Sequence, residues 1–385
     1  MRIESRTERI VCPAGSTSSV DVRRKILLFP CGIYAESGEI NRPMNGLRKP
    51  PRVTDGSTVA IVAPSSTATA SFEHRMDAAV EFLTDRGYEV TEAPATRHDG
   101  AWRSTDAAER ASAFTDAFLD PAVDLILTAI GGVTANTLLP HLPFDALRAN
   151  PTVVCGYSDI TAIHYGLLSR AEIVSFYGPC AVTEFGEYPE PFAYTVDSFV
   201  ETMRGDGTGV VGPSPEWTDE VLDWEQQLDT ARRRDRRPNP GYEWLREGTA
   251  EGPLLGGCLP TLSRLVGTRF WPDHDGAILL LDIPEGRGVG VPISVAEVHS
   301  ALVHLSEAGV FDAVSGVVVS RPPHADAETR AELKRLLQAR TTGPIVYGVD
   351  GGHTDPQATL PLGTRVGLDS EAGTLRRLES GTKPT

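Results

Sequence analysis

Gly156-Tyr157-Ser158 stands where an apolar run, Val153-Val154-Cys155, gives way to a helical pattern beginning at Asp159. A serine on a tight strand-to-helix turn projects its hydroxyl outward. The next amide, at a helix N-terminus, can donate to a developing oxyanion. The same position also suits an N-cap, with the Ser158 hydroxyl accepting from the turn Asp159-Ile160-Thr161. Gly131-Gly132 ends another apolar run; it can bring a second backbone amide to the same carbon, or simply make a tight turn. A serine nucleophile needs a base. His353 follows Gly351-Gly352 after the strand-like Ile345-Val346-Tyr347, a place from which an imidazole reaches into a cleft. Asp282 ends Leu279-Leu280-Leu281, where a carboxylate can orient that imidazole and stabilise its charged form. The chain order Ser158, Asp282, His353 is the Ser–acid–His order of one large class of hydrolases.

The other residues with chemistry of their own fit less well. His74, His164, His299 and His304 fall within helical patterns and read as packing or surface residues. His98, His141, His274 and His324 sit in loops beside prolines or acidic residues. Cys155 offers a thiol nucleophile, but it lies inside the buried run three residues before Ser158. The five cysteines show no C-x-x-C spacing, which argues against a zinc ribbon or a disulfide framework. No G-x-G-x-x-G follows a strand, so a dinucleotide cofactor is not indicated.

Strands alternating with helices must position these groups. Val59–Ala63, Val90–Ala93, Leu125–Ile130 and Val153–Gly156 read as short buried strands. Helical spacing covers Phe72–Gly87, Asp106–Leu119 and Asp159–Ser169. After Leu254 the pattern resumes, with strands Ile278–Leu281, Val314–Val319 and Ile345–Tyr347 and helices Leu259–Val266, Ser294–Ser306 and Glu328–Leu337. This rhythm predicts βαβ units with a parallel sheet covered on both faces, whose ligands bind at the strands' carboxyl ends. Residues 1–45 lack periodicity and are expected to be a disordered extension. Residues 46–190 and 251–385 form the two α/β units of this reading, joined by 191–250. That joining stretch carries Trp217, Trp224 and the run Arg232-Arg233-Arg234-Asp235-Arg236-Arg237. It reads either as a linker with solvated charges or as a mobile loop bearing an aromatic lid.

The balance of 36 Lys and Arg against 52 Asp and Glu gives a net charge of −16. Polyanions such as nucleic acid and anionic membranes would be repelled over most of such a surface. No apolar stretch approaches the roughly 20 residues that cross a bilayer. A cytoplasmic protein is expected.

With these residues in place the sequence resembles the LD-carboxypeptidase family of serine peptidases. Val154 to Ala162 matches its nucleophile motif. Further matches follow in order: Ala60 to Ser66, Ile130-Gly131-Gly132, Ser175-Phe176-Tyr177-Gly178-Pro179, Leu255-Gly256-Gly257, Gly352-His353 and Thr359 to Gly363. The resemblance implies an α/β fold: a flavodoxin-like, amidotransferase-like N-terminal domain with parallel strands, a smaller α/β C-terminal domain and a site between them. It implies Ser158 as nucleophile, His353 as base, and oxyanion-hole amides from Gly132 and Asp159, without metal or cofactor, in a homodimer. Where the family has glutamate this chain has Asp282, one methylene shorter. A longer contact with His353 is therefore expected, Glu285 is a possible substitute, and Asp282→Glu is expected to keep or raise activity. Failure of Asp282 to align the imidazole would instead leave an inactive binding protein. The murein-recycling branch carries arginine before the paired glycines; here Ile130 stands there, as in the microcin-immunity branch. Trp217 to Glu220 and Trp224-Glu225 resemble that branch's loop, where an aromatic ring stacks on a nucleoside. The implied substrate is a peptidyl-nucleotide-like toxin cleaved at an amide or acyl-sulfamoyl bond and bound by Gly131, Trp217 and Trp224. Murein tetrapeptide is the alternative.

Overall fold

The computed structural model describes residues 46–66, 68–98, 105–204, 207–288 and 290–383. The extension expected over residues 1–45 lies outside them. The first half of the chain supplies β1 (Thr58–Val62), β2 (Glu89–Glu92), β3 (Leu125–Thr128), β4 (Val153–Gly156) and β5 (Ser175–Tyr177). These five are parallel and lie in the order β2-β1-β3-β4-β5, the flavodoxin-like doubly wound order. Successive residues of β3 and β4 enter different cores: Leu125, Leu127, Val153 and Cys155 pack in one, Ile126 and Val154 in the other. Burial on both faces is why these strands read as continuous apolar runs.

The middle of the chain adds β6 (Gly209–Val210), β7 (Glu216–Trp217), β8 (Arg237–Pro238) and β9 (Glu243–Arg246). The remainder adds β10 (Thr249–Cys258), β11 (Ile278–Asp282), β12 (Gly316–Ser320), β13 (Ile345–Val349), β14 (Leu360–Leu362), β15 (Arg365–Asp369) and β16 (Thr374–Arg377). An eight-stranded sheet runs β6-β16-β15-β10-β11-β12-β13-β9, parallel through its β10–β13 centre, while β7 and β8 form a separate hairpin. Ile278 to Leu281 of β11 share a hydrophobic core with Ile126 and Val154 of the first sheet. Strand β14 then pairs antiparallel with β5, so the chain returns to the first sheet after leaving the second.

Helices begin where side chains can cap them. Asp106 accepts from the amides of Ala108 and Glu109 ahead of Ala107–Leu119, and Ser294 accepts from Glu297 ahead of Val295–Glu307. The expected helix over Asp159–Ser169 is composite: a 3-10 turn at Ser158–Ile160, an α-helix at Thr161–Gly166 and a π-helical turn at Leu167–Ala171. No helix among the described residues is long and apolar enough to cross a membrane.

The candidate active site

Strand β4 delivers Ser158 two residues beyond its end, with φ at 62°. That left-handed backbone is costly for a residue with a Cβ, and it is the strained turn that aims a hydroxyl away from a sheet. The N-cap reading of Ser158 does not hold. Tyr157 occupies the position preceding the 3-10 turn, no side chain caps it, and the Ser158 Oγ lies 3.0 Å from His353 Nε2. His353 Nδ1 is 2.8 Å from Asp282 Oδ2. The carboxylate can only accept when ionised, so Nδ1 carries the proton and a neutral imidazole turns its Nε2 lone pair towards Ser158.

Asp282 is fully buried and takes two further donors, the Tyr177 hydroxyl at 2.5 Å and the Ser320 hydroxyl at 2.7 Å. The contact to His353 is not lengthened by the shorter side chain. Gly352 explains this: a Cβ there would sit 2.0 Å from Asp282 Oδ1, so only glycine lets the carboxylate approach the chain that carries the imidazole. Glu285, the alternative carboxylate, is half-buried and makes an isolated backbone bridge with Pro292. Among the described residues it makes no hydrogen bond to His353.

Burial disfavours the imidazolium, but the Asp282 charge and hydrogen bond outweigh it, with smaller help from Glu285 and Glu184, and His353 is raised to about 9. Asp282 is held below the usual carboxylate range: burial opposes this, and the charge and hydrogen bond of His353, with the two hydroxyl donors, prevail. Tyr157 packs edge-on to the imidazole at 5.0 Å between ring centroids, which limits the ring's freedom.

The loops after β1 and β3 close the other side. A Cβ on Gly131 would meet Ser158 Oγ at 3.0 Å and the Asp159 amide nitrogen at 3.6 Å. The space left by that missing atom adjoins both a hydroxyl and an amide donor, as a reacting carbonyl requires. Gly132 follows with φ at 149°. The Asp159 side chain is fully buried and accepts from Ser65 Oγ at 2.7 Å, the Ala135 amide at 2.7 Å and Arg264 at 2.9 Å. It thereby ties the turn to loops from both halves of the chain.

Sequence reasoning did not assign Tyr177 or Ser320. The Tyr177 hydroxyl accepts from the Ser158 amide at 3.1 Å while donating to Asp282, so one phenol fixes two members of the row. Tyr177 lay within a matched motif, Ser175 to Pro179; Ser320 had no local signal at all. Cys155 is fully buried, and burial pushes its thiol well above the usual range, which removes it as a nucleophile. His164 is likewise interior, between Ser175 Oγ and the Gly156 carbonyl, each 2.9 Å away.

The two tryptophans do not present open rings. Trp217 is 8% exposed, with the guanidinium groups of Arg237 and Arg321 over it at 3.9 and 4.4 Å. Trp224 is half-buried, with Arg75 over its ring at 4.1 Å and Phe72 edge-on at 5.2 Å. On each ring a guanidinium already takes up a stacking position. The reading of a solvated arginine run fails at Arg234, which is 11% exposed and paired with Glu187 at 2.9 Å and Asp355 at 2.8 Å. Thr218, beside Trp217, also pairs its backbone with Asp355, two residues past His353. The loop is docked against the segment that carries the imidazole.

A serine, an imidazole and a carboxylate in hydrogen-bonded series at the strand ends of two α/β sheets form an arrangement found in a class of proteins capable of acyl transfer. Within that class the chain belongs to the LD-carboxypeptidase family: residues 59–178 match its N-terminal domain and residues 251–368 its C-terminal domain. It is 30% identical over 321 residues to the microcin C7 self-immunity protein MccF of Escherichia coli, covering 82% of this chain and 91% of that one. The structure of MccF in complex with glutamyl sulfamoyl guanosine matches with a TM-score of 0.80 at 28% identity, covering 87% of this chain and 99% of that one. The complex of MccF with aspartyl sulfamoyl adenosine matches with a TM-score of 0.79 at 28% identity, covering 87% and 100%.

Proposed function

We propose that this protein is a serine hydrolase that cleaves the amide or acyl-sulfamoyl bond of an aminoacyl- or peptidyl-nucleotide-like compound. Ser158 attacks the acyl carbon while His353 Nε2 takes its proton. Asp282 keeps the imidazole in that tautomer and stabilises the imidazolium. Amides of Gly132 and Asp159 receive the oxyanion, and His353 then protonates the leaving nitrogen before water releases the acyl group. No step calls for a metal ion. The observation that carries this reading is the series Asp282–His353–Ser158, with contacts of 2.8 and 3.0 Å. The substrate class follows from the MccF relatives solved with sulfamoyl nucleotides and from Ile130 standing before the paired glycines.

The test is turnover of aspartyl-sulfamoyl adenosine beside a murein L,D-tetrapeptide, each with and without chelator. Preference for the nucleotide compound, undiminished by chelator, supports the proposal. Preference for the tetrapeptide moves the substrate to murein, and loss of activity with chelator overturns metal independence. In chelator-treated enzyme kcat/KM should rise with pH through about 9, because only the neutral His353 can accept the serine proton. An acid limb at the ordinary histidine value of about 6.5 would mean that Asp282 does not govern the base.

Tyr177→Phe should lower kcat about tenfold with little change in KM, the scale of one hydrogen bond to a charged group. Unchanged kcat would show that Ser320 and His353 alone suffice to hold Asp282.

A further inference from the structure

Cys258 ends β10 opposite Asp282, its register partner on the parallel β11. Its sulfur, a ring nitrogen of His353 and a carboxylate oxygen of Asp282 all lie within 4.8 Å of one another. The thiol has no part in the hydrolysis described above. Burial first, then the nearby charges of Asp282 and Asp159, hold it protonated, so it does not compete with Ser158 as a nucleophile. Yet thiolate, imidazole and carboxylate are three ligand types that zinc accepts, and three protein ligands leave its fourth position open. With metal–ligand distances of about 2.0–2.3 Å, the His353 and Asp282 atoms, now 2.8 Å apart, would open slightly, while the Cys258 sulfur would draw closer to complete the set.

We propose that the cleft holds a second kind of site, for a thiophilic divalent cation such as zinc, formed by Cys258, His353 and Asp282, and that the ion switches hydrolysis off. On binding, the thiol releases its proton to solvent and sulfur donates its electron pair to the ion; no electron is transferred and no oxidant is needed. The ion takes the Nδ1 lone pair in place of the proton held there, which leaves to solvent from an imidazolium or moves to Nε2 of a neutral ring. The Asp282–His353 hydrogen bond is broken, and a protonated Nε2 can no longer take the proton of Ser158. Binding is independent of the substrate assignment. Only the inhibitory half rests on the function proposed above.

The experiment uses the full chain, freed of metal with chelator and desalted, and titrated with Co2+ as a spectroscopic probe. A thiolate-to-cobalt charge-transfer band in the near ultraviolet, saturating at one ion per chain, is expected in the wild type and in Ser158→Ala. It should be lost in Cys258→Ala and Cys258→Ser and weakened at least tenfold in His353→Ala, with melting curves showing that each variant is folded. Zn2+ should displace the cobalt. Zn2+ should also inhibit turnover reversibly, with at least a tenfold higher midpoint in Cys258→Ala relative to that variant's own metal-free rate. Absence of the band in the wild type, or its persistence without Cys258, overturns the site. A band without inhibition overturns the switch alone, and because the spectrum needs no substrate, failure of the proposed reaction cannot be mistaken for either.

Discussion

Replacing Ser158 with alanine is expected to lower turnover by about 10⁵- to 10⁶-fold, the scale seen when a triad serine is removed. The variant keeps the Gly131 space and the Asp159 amide beside it, so residual activity above the uncatalysed rate and near-normal ligand binding are both expected. The fold should not suffer. The Ser158 side chain makes its hydrogen bond to His353, while its strained backbone is held separately by the Tyr177 hydroxyl. The readouts are single-turnover kinetics and mass spectrometry for an acyl-enzyme, which should accumulate in the wild type at low pH or with a slow substrate and never in the variant. Turnover within about tenfold of wild type would remove Ser158 from the nucleophile's role.

Asp282→Ala should cost on the order of 10⁴-fold in turnover, because His353 then loses both its tautomer control and the partner of its positive charge. Its acid limb should fall back towards the ordinary imidazole range, since the carboxylate is what raises His353 above it. The close approach of Asp282 to Gly352 argues for the opposite of one expectation drawn from family resemblance. Asp282→Glu should lower turnover, by about tenfold or more, because a longer side chain would displace the carboxylate from its present position against Gly352 and its two hydroxyl donors. Glu285→Ala should leave kcat within about threefold and shift only the acid limb slightly downward, as befits a charge that acts on His353 without touching it. A silent Asp282→Ala with a crippling Glu285→Ala would transfer the role and refute this assignment.

What the sequence determined by itself was everything that depends on local pattern. Parallel strands buried on both faces announce themselves as apolar runs, and the turns at their carboxyl ends are where Gly131-Gly132, Tyr157-Ser158, Asp282 and Gly352-His353 stand. Ser158, Asp282 and His353 were therefore legible as strand-end residues before any contact was known, whereas Tyr177 and Ser320, which also end strands, were not. Helix starts were legible at Asp106 and Ser294 for the same reason: a cap acts on the amides of its own first turn.

Tertiary structure decided the questions that local pattern left open. Ser158 and His353 are 195 residues apart, and Tyr177 and Asp282 are 105 apart, so no spacing rule joins them. Asp282 rather than Glu285 meets the imidazole because β11 ends against β12 and Gly352, which supply a hydroxyl and an absent side chain. Composition could not foresee that Arg234 would be enclosed by two carboxylates or that Trp217 would lie beneath two guanidinium groups. Charge and aromaticity are properties of residues, whereas burial and partnership belong to the packed chain. Cys258 is the clearest case. In sequence it is an isolated thiol after two glycines; the parallel pairing of β10 with β11 places it beside a carboxylate and an imidazole, and that neighbourhood gives it a chemistry.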